Sequence, residues 1–282
     1  MQQISPTSLK QYDWGTEVWW KTNSFLLKKL SVQQPLSLQV HPDWQHLDQF
    51  PDVYPKPEMI VATTFFEALC GFLPSEQILN NISMIPLLSE YSSLQSLFQS
   101  SQLDILFLET IKYAQDHLDQ PHCSLFLYLH ELYPNDPATF APFYMHHICL
   151  NQGDGLIIPA CQPHCYLHGQ GVECMPPSDN IARCGMTKKE CNLEFFFQIC
   201  SDARNDMSIQ RPFTKASIEP FFSLQVIHPN ELCDPQTFIL DEEDHCWQTL
   251  QSTVWQDKQA IGVRIKREIN IIVDTNKENV DA

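Results

Sequence analysis

Leu36-Ser37-Leu38-Gln39-Val40-His41-Pro42-Asp43 is the stretch on which the reading of this chain turns. Apolar residues at 36, 38 and 40 alternate with polar ones at 37, 39 and 41, the period of a strand with one buried face. An ordinary half-buried strand sends its polar face to water. Gln-x-His instead sets an amide and an imidazole side by side, at the separation a small metal ion needs. In Pro55-Lys56-Pro57-Glu58 each proline biases the residue before it toward an extended conformation. Lys56 and Glu58 are then expected to point the same way, a cation and an anion in one cavity. Pro159-Ala160-Cys161-Gln162-Pro163-His164 offers a second imidazole. Two imidazoles, a carboxylate and an amide oxygen, from His41, His164, Glu58 and Gln39, suit zinc or a similar first-row ion.

Working outward, Phe25 to Val32 reads as a strand, and Gln33-Gln34-Pro35 turns it into the Gln-x-His strand. Residues 43–55 read as a loop or short helix. Strands are expected again from Met59 through Phe72. At Pro74-Ser75-Glu76 the period changes, with Ser75 as N-cap. Ile78, Ile82 and Ile85 recur at helical spacing, then Leu87, Leu88, Tyr91, Leu94 and Phe98, then Ile105, Leu108 and Ile111. Residues 74–121 therefore read as two to four helices with packing faces. Strand character is expected to return at Phe126. His146 and His147 are adjacent on a strand and face opposite sides, so they cannot enter one cavity together. From about residue 205 the strand-like pieces are Phe222 to Ile227 and Ile261 to Val273, joined by acidic loops. The tail 274–282 reads as frayed.

The chain has 282 residues, 43% of them hydrophobic, enough for a substantial core. Its formal charge of −17 argues against a nucleic-acid or anionic-membrane partner. An anionic substrate would require the few cations to be gathered at one site. No signal peptide or membrane span is apparent. Eleven scattered cysteines without a CxxC pair read as reduced, mostly buried thiols, and hence as a cytoplasmic protein. A thiolate site at Cys161 and Cys165 is the alternative use of two of them. Many short strands around a helical insertion predict a mainly β protein of jelly-roll or barrel type.

Several segments, in order, resemble type I mannose-6-phosphate isomerase, a zinc enzyme family of the cupin superfamily. They are Tyr12-Asp13-Trp14-Gly15, Lys28-Lys29-Leu30-Ser31-Val32, Leu36 to Asp43, Lys56-Pro57-Glu58-Met59, Phe66 to Phe72, Phe140-Ala141-Pro142, Pro163-His164-Cys165-Tyr166, Val172-Glu173-Cys174-Met175, and Ser178-Asp179-Asn180 through Arg183 and Gly185. They cover residues 10–195. The general cupin spacing is also present: Gly153, Pro159, Cys161 where glycine is usual, and His164.

The resemblance implies zinc on Gln39, His41, Glu58 and His164. It implies Arg183, Lys56 and Asp179 as catalytic residues, and Trp14, Ser37, Tyr166 and Glu173 lining a sugar-phosphate pocket. The expected architecture is a catalytic cupin from 1–73 plus 122–204, a helical insertion at 74–121, and a reduced second cupin at 205–282. The expected protein is a monomer interconverting mannose 6-phosphate and fructose 6-phosphate through a cis-enediol.

The sequence departs from the family in three places. Pro55 replaces the histidine usual before Lys-Pro-Glu. The segment after Trp14 is short and reads as lacking the family's Glu-Leu-Trp-Met-Gly stretch. The C-terminal third is short. Those departures keep a second expectation open, a catalytically impaired cupin that binds a sugar phosphate. An iron-dependent oxygenase built on His41, His164 and Glu58 is disfavoured by Gln39, Lys56 and Arg183 nearby. Proton transfer is left between Asp179 and Lys56, with Lys28 and Lys188 as candidate phosphate anchors.

Overall fold

The computed structural model describes residues 1–266 apart from 202, 204, 205 and 242. Its longest strand, His164–Met175, is shared by two halves of an 11-stranded assembly. The N-terminal half of that strand pairs with Leu38–Val40 and Phe66–Phe72; the C-terminal half pairs with Leu26–Val32 and Glu58–Ala62, all antiparallel. One strand thus carries His164 on one wall of the barrel and Glu173 on the other.

The change of wall comes at Gly169. Its φ of +116° is a backbone conformation that side chains resist, and a Cβ there would lie 2.4 Å from the Phe65 carbonyl oxygen. Gly169→Ala is expected to lower stability by about 3 kcal/mol, read as an earlier urea midpoint. An unchanged midpoint would mean that the bend tolerates a side chain.

Alternation along the barrel strands sorts their apolar residues among three of the cores found in the described residues. Leu30, Ile60, Ala68, Cys70, Leu156, Ile158 and Tyr166 fill the barrel interior. On one outer face Leu38, Val40 and Leu69 meet the helical segment. On the other, Leu27, Met59, Val61, Val172 and Cys174 meet the C-terminal strands through Phe222, Leu224, Phe238 and Val263. Gln39, between Leu38 and Val40, consequently turns inward. Leu36 precedes the strand and packs inside the barrel rather than with Leu38 and Val40.

The helical run is longer than the sequence reading. Helices cover Ser75–Ile82, Leu94–Phe98, Leu103–Asp116 and Pro121–Leu132, with a short turn of helix at Ala141–Tyr144. Phe126 thus lies in a helix, and strand resumes at Met145. Pro121 at the first helical position was the local signal. Ser75 is the first residue of its helix and Pro74 the N-cap, with no side-chain cap. In Leu103–Asp116 the buried positions are Leu106, Phe107, Thr110 and Ala114, while Ile105 and Leu108 face outward.

The C-terminal sheet has six antiparallel strands, and the N-terminal strand Gln2–Ile4 closes its edge against Cys246–Gln248. Positions 261–265 of the expected strand fall in the strand Ala260–Ile265; positions 267–273 and the tail lie outside the described residues. No helix among the described residues is long and apolar enough to cross a membrane.

Candidate metal centre and its cavity

His41, Glu58 and His164 converge inside the barrel. They come from the end of the Gln-x-His strand, the first residue of Glu58–Ala62 and the first residue of His164–Met175. Glu58 Oε1 is 3.3 Å from His41 Nε2, and Glu58 Oε2 is 3.3 Å from His164 Nε2. All three side chains are at most 2% exposed.

The far sides of the rings fix their tautomers. His41 Nδ1 lies 2.7 Å from the Asn180 carbonyl oxygen, and His164 Nδ1 lies 3.0 Å from that of Gln162. A carbonyl only accepts, so each Nδ1 carries the proton and each Nε2 presents a lone pair. Two lone pairs therefore face a buried carboxylate, whose Oε2 has no hydrogen-bond donor. That arrangement is complementary to a cation. Imidazole and carboxylate bonds of about 2.0–2.2 Å in tetrahedral geometry place donors about 3.3–3.5 Å apart, matching both 3.3 Å separations. The donor set fits a first-row divalent metal.

Burial first, and Lys56 second, lower the His41 imidazole to about 4, keeping it neutral and able to ligate. Burial alone would raise the Glu58 carboxyl. The Lys56 charge beside it pulls the other way, and the net direction is well below the usual range. Lys56 Nζ sits 3.2 Å from Glu58 Oε1 and 3.4 Å from His41 Nε2. The expected cation and anion do share one cavity.

Gln39 differs from expectation. Its amide nitrogen, not its oxygen, is 3.2 Å from His164 Nε2, and its Oε1 accepts from Ser37 Oγ at 3.3 Å. An amide oxygen ligand there requires the side chain to flip. Cys161 and Cys165 are both buried, and the Cys165 thiol donates to the Leu36 carbonyl at 3.0 Å.

Above the cluster opens a cavity of about 500 Å³. Trp14, Ser37, Gln39, Lys56, Glu58, Tyr166, Glu173, Asp179 and Arg183 all line it. Arg183 is directly opposite Gln39 in strand register, so both project from the same face. Asp179 is exposed, and its amide N–H donates to Asp52 at 2.7 Å. Tyr166 Oη donates to Glu173 Oε1 at 2.8 Å, and Lys28 Nζ lies 3.5 Å from Glu173 Oε2. Burial and then the Glu58 charge push the Glu173 carboxyl up to about 7, against Lys28 and Lys56, which lower it. Lys188 is exposed, bridging to Asp13 at 2.9 Å.

Lys28, named from the sequence as a candidate phosphate anchor, is 5% exposed. Three contributors were missed in the sequence. Glu17 and Trp19 also line the cavity, with Trp19 Nε1 donating to Glu17 at 2.7 Å. Glu17-Val18-Trp19-Trp20 keeps the Glu-x-Trp spacing of the stretch read as missing, which was the available signal. Asn180 is the third. Its carbonyl holds His41, while its side chain joins the main chain of Asp52 and Tyr54. Asn180→Ala is expected to weaken metal affinity by about 10–100-fold, measured by competition with a chelating dye; undiminished affinity would make Asn180 a loop residue only.

The family model "Phosphomannose isomerase type I, catalytic domain" matches residues 3–75. Mannose-6-phosphate isomerase of Homo sapiens is 32% identical over 243 residues, covering 71% of this chain and 57% of that protein. The chain thus spans little more than half the length of that relative. A substituted form of phosphomannose isomerase from Salmonella typhimurium superimposes with TM-score 0.73 at 18% identity, over 95% of this chain and 100% of that one. A mannose 6-phosphate isomerase structure bound with zinc and yttrium gives TM-score 0.71 at 17% identity, with the same coverage. These two likenesses establish the fold.

Proposed function

This chain belongs to the type I phosphomannose isomerase family, and from that premise we propose that it is a zinc-dependent aldose–ketose isomerase interconverting mannose 6-phosphate and fructose 6-phosphate. The observation that carries the reading is the convergence of His41, Glu58 and His164 beneath a polar cavity. Zinc is the preferred ion because the donors are nitrogen and oxygen at tetrahedral separations, and because the similar structure named above binds it. The site belongs to the barrel of the proposed domain division, between the helical segment and the C-terminal sheet.

Held there by His41, Glu58 and His164, zinc would supply Lewis-acid chemistry to the sugar's reacting end. The chain supplies the rest. Arg183 presents paired donors to the phosphate or to the negative charge of a cis-enediol. Lys56, held beside Glu58, positions the oxygens of the reacting end. A proton must move between C1 and C2, and a group poised near neutrality does this best. Glu173 is such a group and joins Asp179 and Lys56 as a candidate carrier. Ser37, Trp14 and Tyr166 shape the wall that orients the sugar.

The test is a coupled assay of fructose 6-phosphate formation after chelation and after zinc is restored. Activity that is lost and then recovered supports the proposal; a zinc-loaded protein without turnover defeats it. Pro55, where the family has histidine, favours a second reading, a protein that binds the sugar phosphate without converting it. Saturable binding in that same inactive, zinc-loaded protein would establish it.

A pH prediction follows from Lys28. Its positive charge favours the ionised form of Glu173, so Lys28→Met raises that carboxyl further. If Glu173 carries the proton, the limb of the kcat/KM profile near neutrality moves to higher pH in Lys28→Met. It disappears in Glu173→Gln, with kcat down about 100-fold. A limb present and unmoved in both variants assigns proton transfer elsewhere.

A further inference from the structure

The outer face of the barrel holds a second convergence of donors that the isomerase reading does not use. Glu67 lies on Phe66–Phe72, and His147 and Cys149 lie two residues apart on the neighbouring strand Met145–Leu150. Glu67 is paired directly with Cys149, so all three side chains rise from one face. On the other side of Glu67, the register partner is His168, which shares that face. Hydrogen-bonded sheet on both sides fixes the spacing, as a flexible loop would not.

His147 Nε2 is the meeting point. It lies 3.2 Å from Glu67 Oε1 and 3.9 Å from Cys149 Sγ, and the three donor atoms are all within 4.8 Å of one another. A single ring nitrogen cannot satisfy both neighbours with one proton. A cation set among them satisfies all three. For zinc in tetrahedral geometry the nitrogen–oxygen edge is about 3.4 Å and the nitrogen–sulfur edge about 3.6 Å, close to what is found.

We propose that Glu67, His147 and Cys149 form a second site for a borderline divalent cation of the zinc and cobalt class. A thiolate, imidazole and carboxylate together select such ions over magnesium or calcium, which take oxygen donors. The site faces solvent, since Cys149 is exposed and Glu67 and His147 are about 30% exposed. Burial and the Glu67 charge raise the Cys149 thiol, so the cation displaces a proton from sulfur as it binds. The cation pins the two paired strands on the solvent side of the sheet whose other face lines the barrel.

A third donor group, Asp43, His46 and Cys161, lies nearer the metal centre. There the Asp43 carboxylate already accepts from the Gln45 N–H at 2.9 Å and from His46 at 2.8 Å. That local turn accounts for the Asp43–His46 contact without an ion, although Cys161 Sγ also lies 3.9 Å from His46 Nδ1.

The inference stands apart from the isomerase reading and is tested without an activity assay. The metal-stripped 282-residue chain is titrated with Co²⁺ and followed by equilibrium dialysis and near-ultraviolet absorption. The unmodified chain is expected to bind two equivalents, the weaker one bringing a thiolate-to-cobalt charge-transfer band. Cys149→Ser should keep the first equivalent and lose the band, with the second bound at least tenfold more weakly; His147→Ala should do the same. A band that persists in Cys149→Ser, or a second equivalent bound as tightly by both variants, overturns the proposal. So does a single equivalent in the unmodified protein.

Discussion

Glu58→Gln is expected to empty the barrel site and to lower turnover of mannose 6-phosphate by about 10³-fold, the scale of a lost Lewis acid. Gln has the same shape, but it removes the negative charge that two histidine lone pairs and Lys56 converge on. Metal analysis and the coupled assay should fall together. The same change leaves Lys56, 3% exposed, without its anionic partner. A buried charge stripped of its counter-ion costs about 3 kcal/mol, so the variant should also unfold at lower urea than the metal-free parent. Adding Lys56→Met should return much of that stability and none of the turnover. Stability and activity responding in parallel through all three proteins would mean that the cluster serves the fold alone.

Arg183→Ala is expected to lower kcat/KM by about 10²–10³-fold with metal content unchanged, as when one preorganised donor group to developing charge is lost. The expectation rests on register. Arg183 faces Gln39 across adjacent strands, so its guanidinium projects into the cavity without touching Glu58. Arg183→Lys should recover only part of the loss, because an ammonium cannot present two parallel N–H groups to a phosphate or an enediolate. Unchanged kcat/KM in Arg183→Ala would remove the arginine from the reaction. Loss of metal in that variant would make it a support of the centre instead.

The candidate metal centre was legible because its signals are local. Gln-x-His, Lys-Pro-Glu and Pro-His each declare which side chains share a face within a few residues. What joins them was legible only in part. The Lys28–Glu173 ion pair depends on the register between Leu26–Val32 and His164–Met175, and nothing within either strand announces it. The convergence of Glu67 with Cys149 was hidden for the same reason.

In the helices the failures are of another kind. The segment Leu103–Asp116 contains two overlapping apolar stripes, one through Ile105 and Leu108 and one through Leu106, Phe107 and Ala114. Periodicity declares a helix there, but the buried stripe is chosen by the neighbours, here Phe140 and His130 against Phe107. The aromatic residues of Pro121–Leu132 favour strand by local preference, and packing against the other helices overrides them. Gln39 sits between the two cases. The alternation placed its side chain inside the barrel, but which amide atom faces His164 is decided by Ser37 and the imidazole lone pair.

The central claim is that one cation belongs among His41, Glu58 and His164. Anomalous diffraction at the zinc edge from crystals of the zinc-loaded protein tests it most directly. A peak about 2.0–2.2 Å from His41 Nε2, His164 Nε2 and a Glu58 oxygen is the predicted result. A zinc-loaded crystal with no peak among those three side chains would contradict it.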